Sequence, residues 1–379
     1  MRIVETKTIY RDDSGYASWP NLALMKDGSI LCAFRHAPDR QSQKQYGCCV
    51  HLDPDAKDVC IRSYDGGETF SQELHTILDE EMVSNQDPCL TVLSDGRVLS
   101  TSYRWLCVPA GNGRKIWGET DFAAFGSSFF EECDAFLGDV NCSYSDDNGE
   151  TWVLAPPISV PNAPHGAAVR GNIVELPNGD LLMPYYITMG INQSSTAALF
   201  RSTDRGETWK HDSVIAKDPD NQKYYYEPNL ILTKSGRLVA LMRTEVDPNN
   251  PNPPAGCYHN YLNVHMAVSE DYGKTFGPVT EIQNFWGSNP IHALRLQSGN
   301  VLVTYGYRRS PYSVRARLCN GELSNLSETE EIVLRDDAPN EDLAYTNAIQ
   351  LDNGDILVAY YFPQPDGIRT IELTRLREE

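Results

Sequence analysis

Four segments of this 379-residue chain obey one pattern, Ser-x-Asp-x-Gly-x-Thr followed by Trp or Phe, at residues 63–70, 145–152, 202–209 and 269–276. Each copy has the chemistry of a tight hairpin. The Asp carboxylate accepts backbone N–H groups, the Gly permits positive φ, and the terminal aromatic packs underneath. One copy would mean little. Four along one chain mark a repeat architecture, which confines the fold to stacked or radially arranged units.

A second repeat runs in phase with the first. An apolar strand, a turn and another apolar strand recur six times, around Asp27-Gly28, Asp95-Gly96, Asn178-Gly179, Ser235-Gly236, Ser298-Gly299 and Asn353-Gly354. The flanking residues are β-branched and aromatic, as paired strands require. A further strand then leads into each of the Asp-containing boxes; the fifth unit keeps only a degenerate box at residues 318–321, and the sixth has none. Two hairpins per unit, repeated six times, predict an all-β fold, a six-bladed β-propeller of four-stranded antiparallel blades. The strand-like ends, residues 2–10 and 370–376, are expected to pair in the last blade and remove two exposed edges. The whole chain, 1–379, reads as one domain.

Composition restricts the partners. With 52 acidic and 32 basic residues the net charge is −20, which disfavours nucleic acid and anionic membranes. The first residues lack an apolar leader and no run is long enough to span a bilayer, so a cytoplasmic location is expected. Ten cysteines show no C-x-x-C pair, which favours buried reduced thiols over disulfides or zinc. The sequons at Asn141, Asn192 and Asn325 carry no weight in that compartment. The acidic stretch Asp146-Asp147-Asn148-Gly149 lies inside a box, whose turn role accounts for it. No motif implies a cofactor or metal.

In a propeller the heads of the innermost strands and the ends of the following strands meet at one mouth of the axis. By this rule the strand heads bring Ser18, Asp87, Arg170, Glu227, Asn289 and Tyr345 to the mouth. The strand ends bring Arg35, Arg104, Tyr186, Arg243, Arg308 and Tyr361. Each arginine could serve in rim ion pairs. Several converging suit an anionic ligand, because a guanidinium matches a carboxylate bidentately.

The boxes, the six hairpins and the segments YEPNLILTKSGRLVALMR and AYTNAIQLDNGDILVAYY resemble the sialidase (neuraminidase) superfamily of six-bladed propellers over nearly the whole chain. The resemblance implies a nucleophilic Tyr345, a partner Glu227, and carboxylate-binding Arg243 and Arg308, with Arg309 and Arg315 as neighbours that compete for the last role. It implies Asp53 as acid/base, with His51 as the rival. The family's first arginine falls on Ser18, so Arg35 or Arg170 is expected to take its place.

The chemistry of these residues is coherent. A tyrosine hydroxyl is neutral at pH 7 and becomes a competent nucleophile once Glu227 accepts its proton, while Asp53 or His51 protonates the leaving oxygen. Tyrosine nucleophiles depart from the usual two-carboxylate scheme of glycosidases. The expected activity is removal of a terminal acidic sugar from a glycan. A polysaccharide lyase or uronate- or rhamnose-linked glycosidase working through His51, His165 or His292, and a non-catalytic glycan-binding propeller, are the alternatives. The insertion at 104–141 carries Trp105, Trp117, Phe122, Phe125, Phe129, Phe130 and Phe136, which suit a lid, an oligomer contact or a satellite core. The Pro/Asn-rich stretch at 247–254 reads as a rim loop.

Overall fold

A computed structural model describes residues 1–40, 51–127, 133–158, 160, 166–187, 194–246, 261–287 and 289–378. Six antiparallel sheets follow one another around an axis, and each runs from an inner to an outer strand. Blade one is built from Gly15–Leu24, Ile30–Pro38, Lys57–Ser63 and His75–Leu78. Blade two uses Val83–Val92, Val98–Pro109, Cys133–Ser145 and Val153–Leu154. In blade three the inner strand is split into Ala167–Ala168 and Val174–Glu175, ahead of Leu181–Ile187, Thr196–Ser202 and Lys210–Ala216. Blade four comprises Lys223–Leu232, Leu238–Val246, Asn263–Ser269 and Thr280–Trp286. Blade five holds His292–Arg295, Val301–Tyr307, Ser313–Cys319 and Ile332–Arg335. Blade six combines Ala344–Gln350, Ile356–Pro363 and Arg369–Arg377 with Arg2–Tyr10 from the other end of the chain.

That last pairing closes the ring as expected, with Arg2 opposite Arg377 and Tyr10 opposite Ile371. The apolar residues sit between blades. One cluster joins Ile30, Phe34 and Ile61 of blade one to Leu357, Ala359 and Leu373 of blade six. A second joins Leu99 and Cys142 of blade two to Leu181, Tyr185 and Phe200 of blade three.

The boxes fasten each blade to its predecessor. In the third, Ser202 donates to Asp204 (2.7 Å), Gly206 N–H donates to Ser202 (2.9 Å), and Thr208 N–H donates to Asp204 (2.9 Å). Gly206 takes φ +85°, and a Cβ there would meet Leu99 of blade two at 2.9 Å. Arginines of the preceding blade donate to carbonyls of the turns: Arg375 to Gly66 (3.1 Å), Arg62 to Asn148 (2.6 Å), Arg97 to Arg205 (3.4 Å) and Arg201 to Tyr272 (2.7 Å). A box is thus both a turn and an interblade latch.

In the described part of the insertion, two short helices, Gly113–Trp117 and Glu119–Phe125, pack on lengthened strands of blade two. Trp117 stacks on Phe136 with centroids 4.6 Å apart and lies parallel to Phe122 at 6.2 Å, which forms the satellite core. Phe129, Phe130, the Phe125 side chain, Asn192, His165 and the 247–254 stretch lie outside the described residues. So do Cys48, Cys49 and Cys257; the seven described cysteines are free and buried.

Candidate active site

One irregularity recurs at the head of the inner strands. The ladder skips between Ser18 and Asn21, Gln86 and Cys89, Tyr226 and Asn229, and Ala344 and Asn347. Inside the four bulges Trp19, Asp87, Glu227 and Tyr345 adopt φ of 57°, 55°, 49° and 48°. Non-glycine residues held there cost roughly 1–3 kcal/mol each, and such strain persists where the surroundings over-determine it. A bulge re-aims one side chain, and here it turns one residue in each of these four blades to the axial mouth. The blade-one position is therefore Trp19. The family resemblance puts Ser18 there; the extra residue in the bulge shifts the place by one.

Just below the bulges the inner strands are tied together by side-chain amides. Asn347 accepts from Leu22 N–H (2.8 Å), Asn21 from Leu90 N–H (3.0 Å) and Asn229 from Ala293 N–H (3.1 Å). Asn347 also donates to Asn172 (3.1 Å). This amide girdle fixes the strand heads relative to one another.

The girdle brings Glu227 of blade four and Tyr345 of blade six together across the mouth. The Tyr345 hydroxyl donates to Glu227 Oε1 at 2.8 Å. Arg243 donates from one nitrogen to Glu227 Oε2 (3.1 Å) and to the Tyr345 hydroxyl (3.5 Å), and also pairs with Glu245. Arg308 lies over the Tyr345 ring at 5.9 Å, donates to Tyr361 (3.5 Å) and meets the Asn289 amide oxygen, when this is turned toward it, at 2.8 and 2.9 Å. Burial and the Glu227 charge hold the Tyr345 phenol well above its ordinary range, against the pull of Arg243 and Arg308. At neutral pH the hydroxyl keeps its proton, which it donates to the Glu227 carboxylate.

The remaining sequence candidates are placed differently. Arg170 is buried and donates to the carbonyls of Trp19 (3.4 Å), Pro20 (3.2 Å) and Tyr345 (2.9 Å), with Asp87 at 3.6 Å. It braces strand heads across the ring. Arg35 is 0% exposed, beneath the rings of Trp19 (5.3 Å) and Tyr16 (5.8 Å). Arg309 lies over Trp286, Arg315 over Tyr307, and Arg104 pairs with Glu80 and Asp139. Asp53 is buried and takes hydrogen bonds from Arg40 (3.1 Å) and from the Asp55 N–H (2.9 Å). His51 is partly exposed, with its ring edge-on to Trp19 (5.3 Å) and Nε2 3.4 Å from Asp342 Oδ1. His292 belongs to the girdle, 3.2 Å from the Ala348 carbonyl.

Sequence reasoning left three residues at this mouth without a role: Trp19, Asp87 and Asp342. Burial, reinforced by Glu227 and Asp58 and only partly offset by Arg170, pushes the Asp87 carboxyl up to about 8. A usable signal existed for two of them. Trp19-Pro20, Asp87-Pro88, Glu227-Pro228 and Asn289-Pro290 all place a residue before proline at the same point of the repeat, and Arg170-Gly171 is a variant of it. A depression of about 860 Å³ lined by Met25, Lys26, Val92, Glu175 and Leu351 lies at the hairpin-turn end, away from Tyr345.

The profile of the BNR repeat-like domain matches residues 130–358. The chain belongs to that family. A Dyadobacter fermentans protein of unknown function, 32% identical, superposes with a TM-score of 0.86 over 100% of this chain and 99% of its own. A sialidase of Paraclostridium sordellii is 22% identical over 246 residues, 61% of this chain and 53% of the sialidase. Xyloglucanase Xgh74A of Acetivibrio thermocellus is 28% identical over 178 residues, 44% of this chain. The chain thus spans about half of that sialidase and 19% of the xyloglucanase. An α-L-arabinanase of Penicillium chrysogenum shares the fold with a TM-score of 0.67 at 13% identity, over 100% of this chain and 99% of its own. Among the described residues no helix is long and apolar enough to cross a membrane, and no cluster of three or more metal-ligating side chains occurs.

Proposed function

We propose that this protein is an exo-acting glycoside hydrolase that uses Tyr345 as nucleophile and Glu227 as its base, acting on a terminal acidic sugar such as a sialic acid. The observation that carries this reading is the 2.8 Å hydrogen bond from the Tyr345 hydroxyl to Glu227, with Arg243 beside both. A neutral phenol approaches an anomeric carbon next to a carboxylate without the repulsion an anionic nucleophile would meet, and Glu227 takes its proton as the bond forms. Arg243 and Arg308 flank the ring and are the cations for the sugar carboxylate. The likeness to a sialidase supports the substrate class.

A second reading, a neutral-sugar glycosidase of the arabinanase kind, is favoured by one observation. Arg35 and Arg170 are both buried, and Arg170 is spent on strand carbonyls, which leaves two arginines at the mouth. Assay of aryl glycosides of N-acetylneuraminic acid, glucuronic acid and arabinofuranose separates the two. Turnover of the first, abolished in Tyr345→Phe and reduced in Arg308→Ala, is expected. Turnover of the arabinofuranoside alone moves the assignment to the second reading. Binding without turnover of any glycoside makes the protein a glycan-binding propeller.

A further inference from the structure

The Tyr345–Glu227 pair supplies the nucleophile and its base but no donor for the leaving oxygen. Of the two acid candidates in the sequence, Asp53 is buried with Arg40 on its carboxylate, whereas the His51 ring is 45% exposed. We propose that His51 is the acid/base that serves the leaving group and that Asp342, just ahead of blade six, is the positioning residue that orients it. This rests on the reading of Tyr345 as nucleophile.

The geometry is specific. Three neighbours fix His51. Its carbonyl accepts from Gln86 (2.8 Å), its ring stands edge-on to Trp19 at 5.3 Å, and Nε2 faces Asp342 at 3.4 Å. Trp19 in turn lies 5.8 Å from the Tyr345 ring, so His51 stands one aromatic ring away from the nucleophile, on the open side of the mouth. Asp342 is held by hydrogen bonds from Tyr361 (2.8 Å), Tyr16 (3.0 Å) and Arg369 (3.0 Å). Burial would raise its carboxyl, but the His51 hydrogen bond and the charges of His51, Arg369 and Arg308 hold it well below the usual carboxylate range. With Nε2 turned to the Asp342 carboxylate, Nδ1 is the ring nitrogen placed to serve the leaving oxygen. Among the described residues, the other groups near this pair include the Tyr16 ring at 6.1 Å from His51, the Arg308 charge acting on Asp342 and, on His51's own segment, Asp53 and Asp55, both paired with Arg40.

The proton account balances. As the Tyr345 oxygen bonds to the anomeric carbon, its proton passes to Glu227, the glycosidic C–O bond breaks, and Nδ1–H of His51 goes to the departing oxygen. In the second half a water attacks the same carbon, its proton goes to Nδ1, and the released tyrosine oxygen recovers its own from Glu227.

The test compares 4-methylumbelliferyl N-acetylneuraminide, which needs no acid, with sialyllactose, which does. In His51→Gln the sialyllactose rate is expected to fall on the order of a hundredfold and the aryl glycoside less than tenfold. Asp342→Asn should move the alkaline limb of kcat/KM for sialyllactose to lower pH, and Asp342→Glu should restore it. Equal losses on both substrates, or an alkaline limb that stays in place in Asp342→Asn, would overturn the proposal. If Tyr345→Phe abolishes turnover while His51→Gln is unaffected, the nucleophile stands and this inference fails alone. If the wild-type protein turns over neither substrate, both fail. Circular dichroism melts identify variants that do not fold, and His51→Gln, on a partly exposed ring, keeps the leaving-group comparison usable when Asp342→Asn unfolds.

Discussion

At the scale of single residues, what singles out Glu227 and Tyr345 is the company each keeps. Tyr345→Phe removes only an oxygen that donates to Glu227, so the fold should survive while turnover is lost; a melting curve beside an activity assay checks both. Glu227→Gln should lower kcat at least a hundredfold, within the range of general-base catalysis. Buried titratable groups also predict how stability depends on pH. Burial pushes the Asp58 carboxyl up to about 7, against the Arg35 charge, and Asp87 up to about 8. Both carboxyls are raised over an unfolded value of about 3.9. The unfolded chain therefore ionises first as pH rises, and stability falls between about pH 4 and pH 8. Asp58→Asn should gain melting temperature relative to wild type at pH 8 compared with pH 4.5. Burial lowers His292 to about 4, the opposite sense. Its contribution is lost as pH falls from about 6.5 toward 4, and His292→Asn should soften that acid-side loss.

At the scale of elements, the boxes are legible in sequence because their geometry is local. Ser, Asp, Gly and Thr contact one another within five residues, as in Thr69 N–H to Asp65 at 2.9 Å and Gly67 N–H to Ser63 at 2.9 Å. Their second role was not legible, because the leucine under each glycine comes from another blade. Gly206→Ala joins both terms, an unfavourable φ of +85° and contact with Leu99. It should cost about 1–3 kcal/mol, read by denaturant titration. The bulges show the same division. Proline after Trp19, Asp87 and Glu227 is visible in sequence, but the positive φ that turns each side chain to the mouth depends on the neighbouring strands. That is why the resemblance points one residue short, to Ser18.

At the scale of the whole molecule, the ring is closed by Arg2–Tyr10 lying on Arg369–Arg377. Deleting residues 1–10 leaves blade six with an open edge and removes Ile9 and Tyr10 from its core. The truncated protein should melt lower and associate, seen by calorimetry and light scattering; an unchanged melt would mean that ring closure adds little. Periodicity along the chain determined the six blades, their order and which strand heads share a mouth, because pairing within a blade follows from alternating apolar residues and turn chemistry. Only the tertiary structure decided what those heads do. Glu227 and Tyr345 are 118 residues apart, and nothing local brings them to hydrogen-bonding distance. Arg170 and Arg35 have the chemistry of anion binders, yet packing assigns the first to strand carbonyls and covers the second with Trp19. The four boxes set the frame, and contacts between blades turned it into a site.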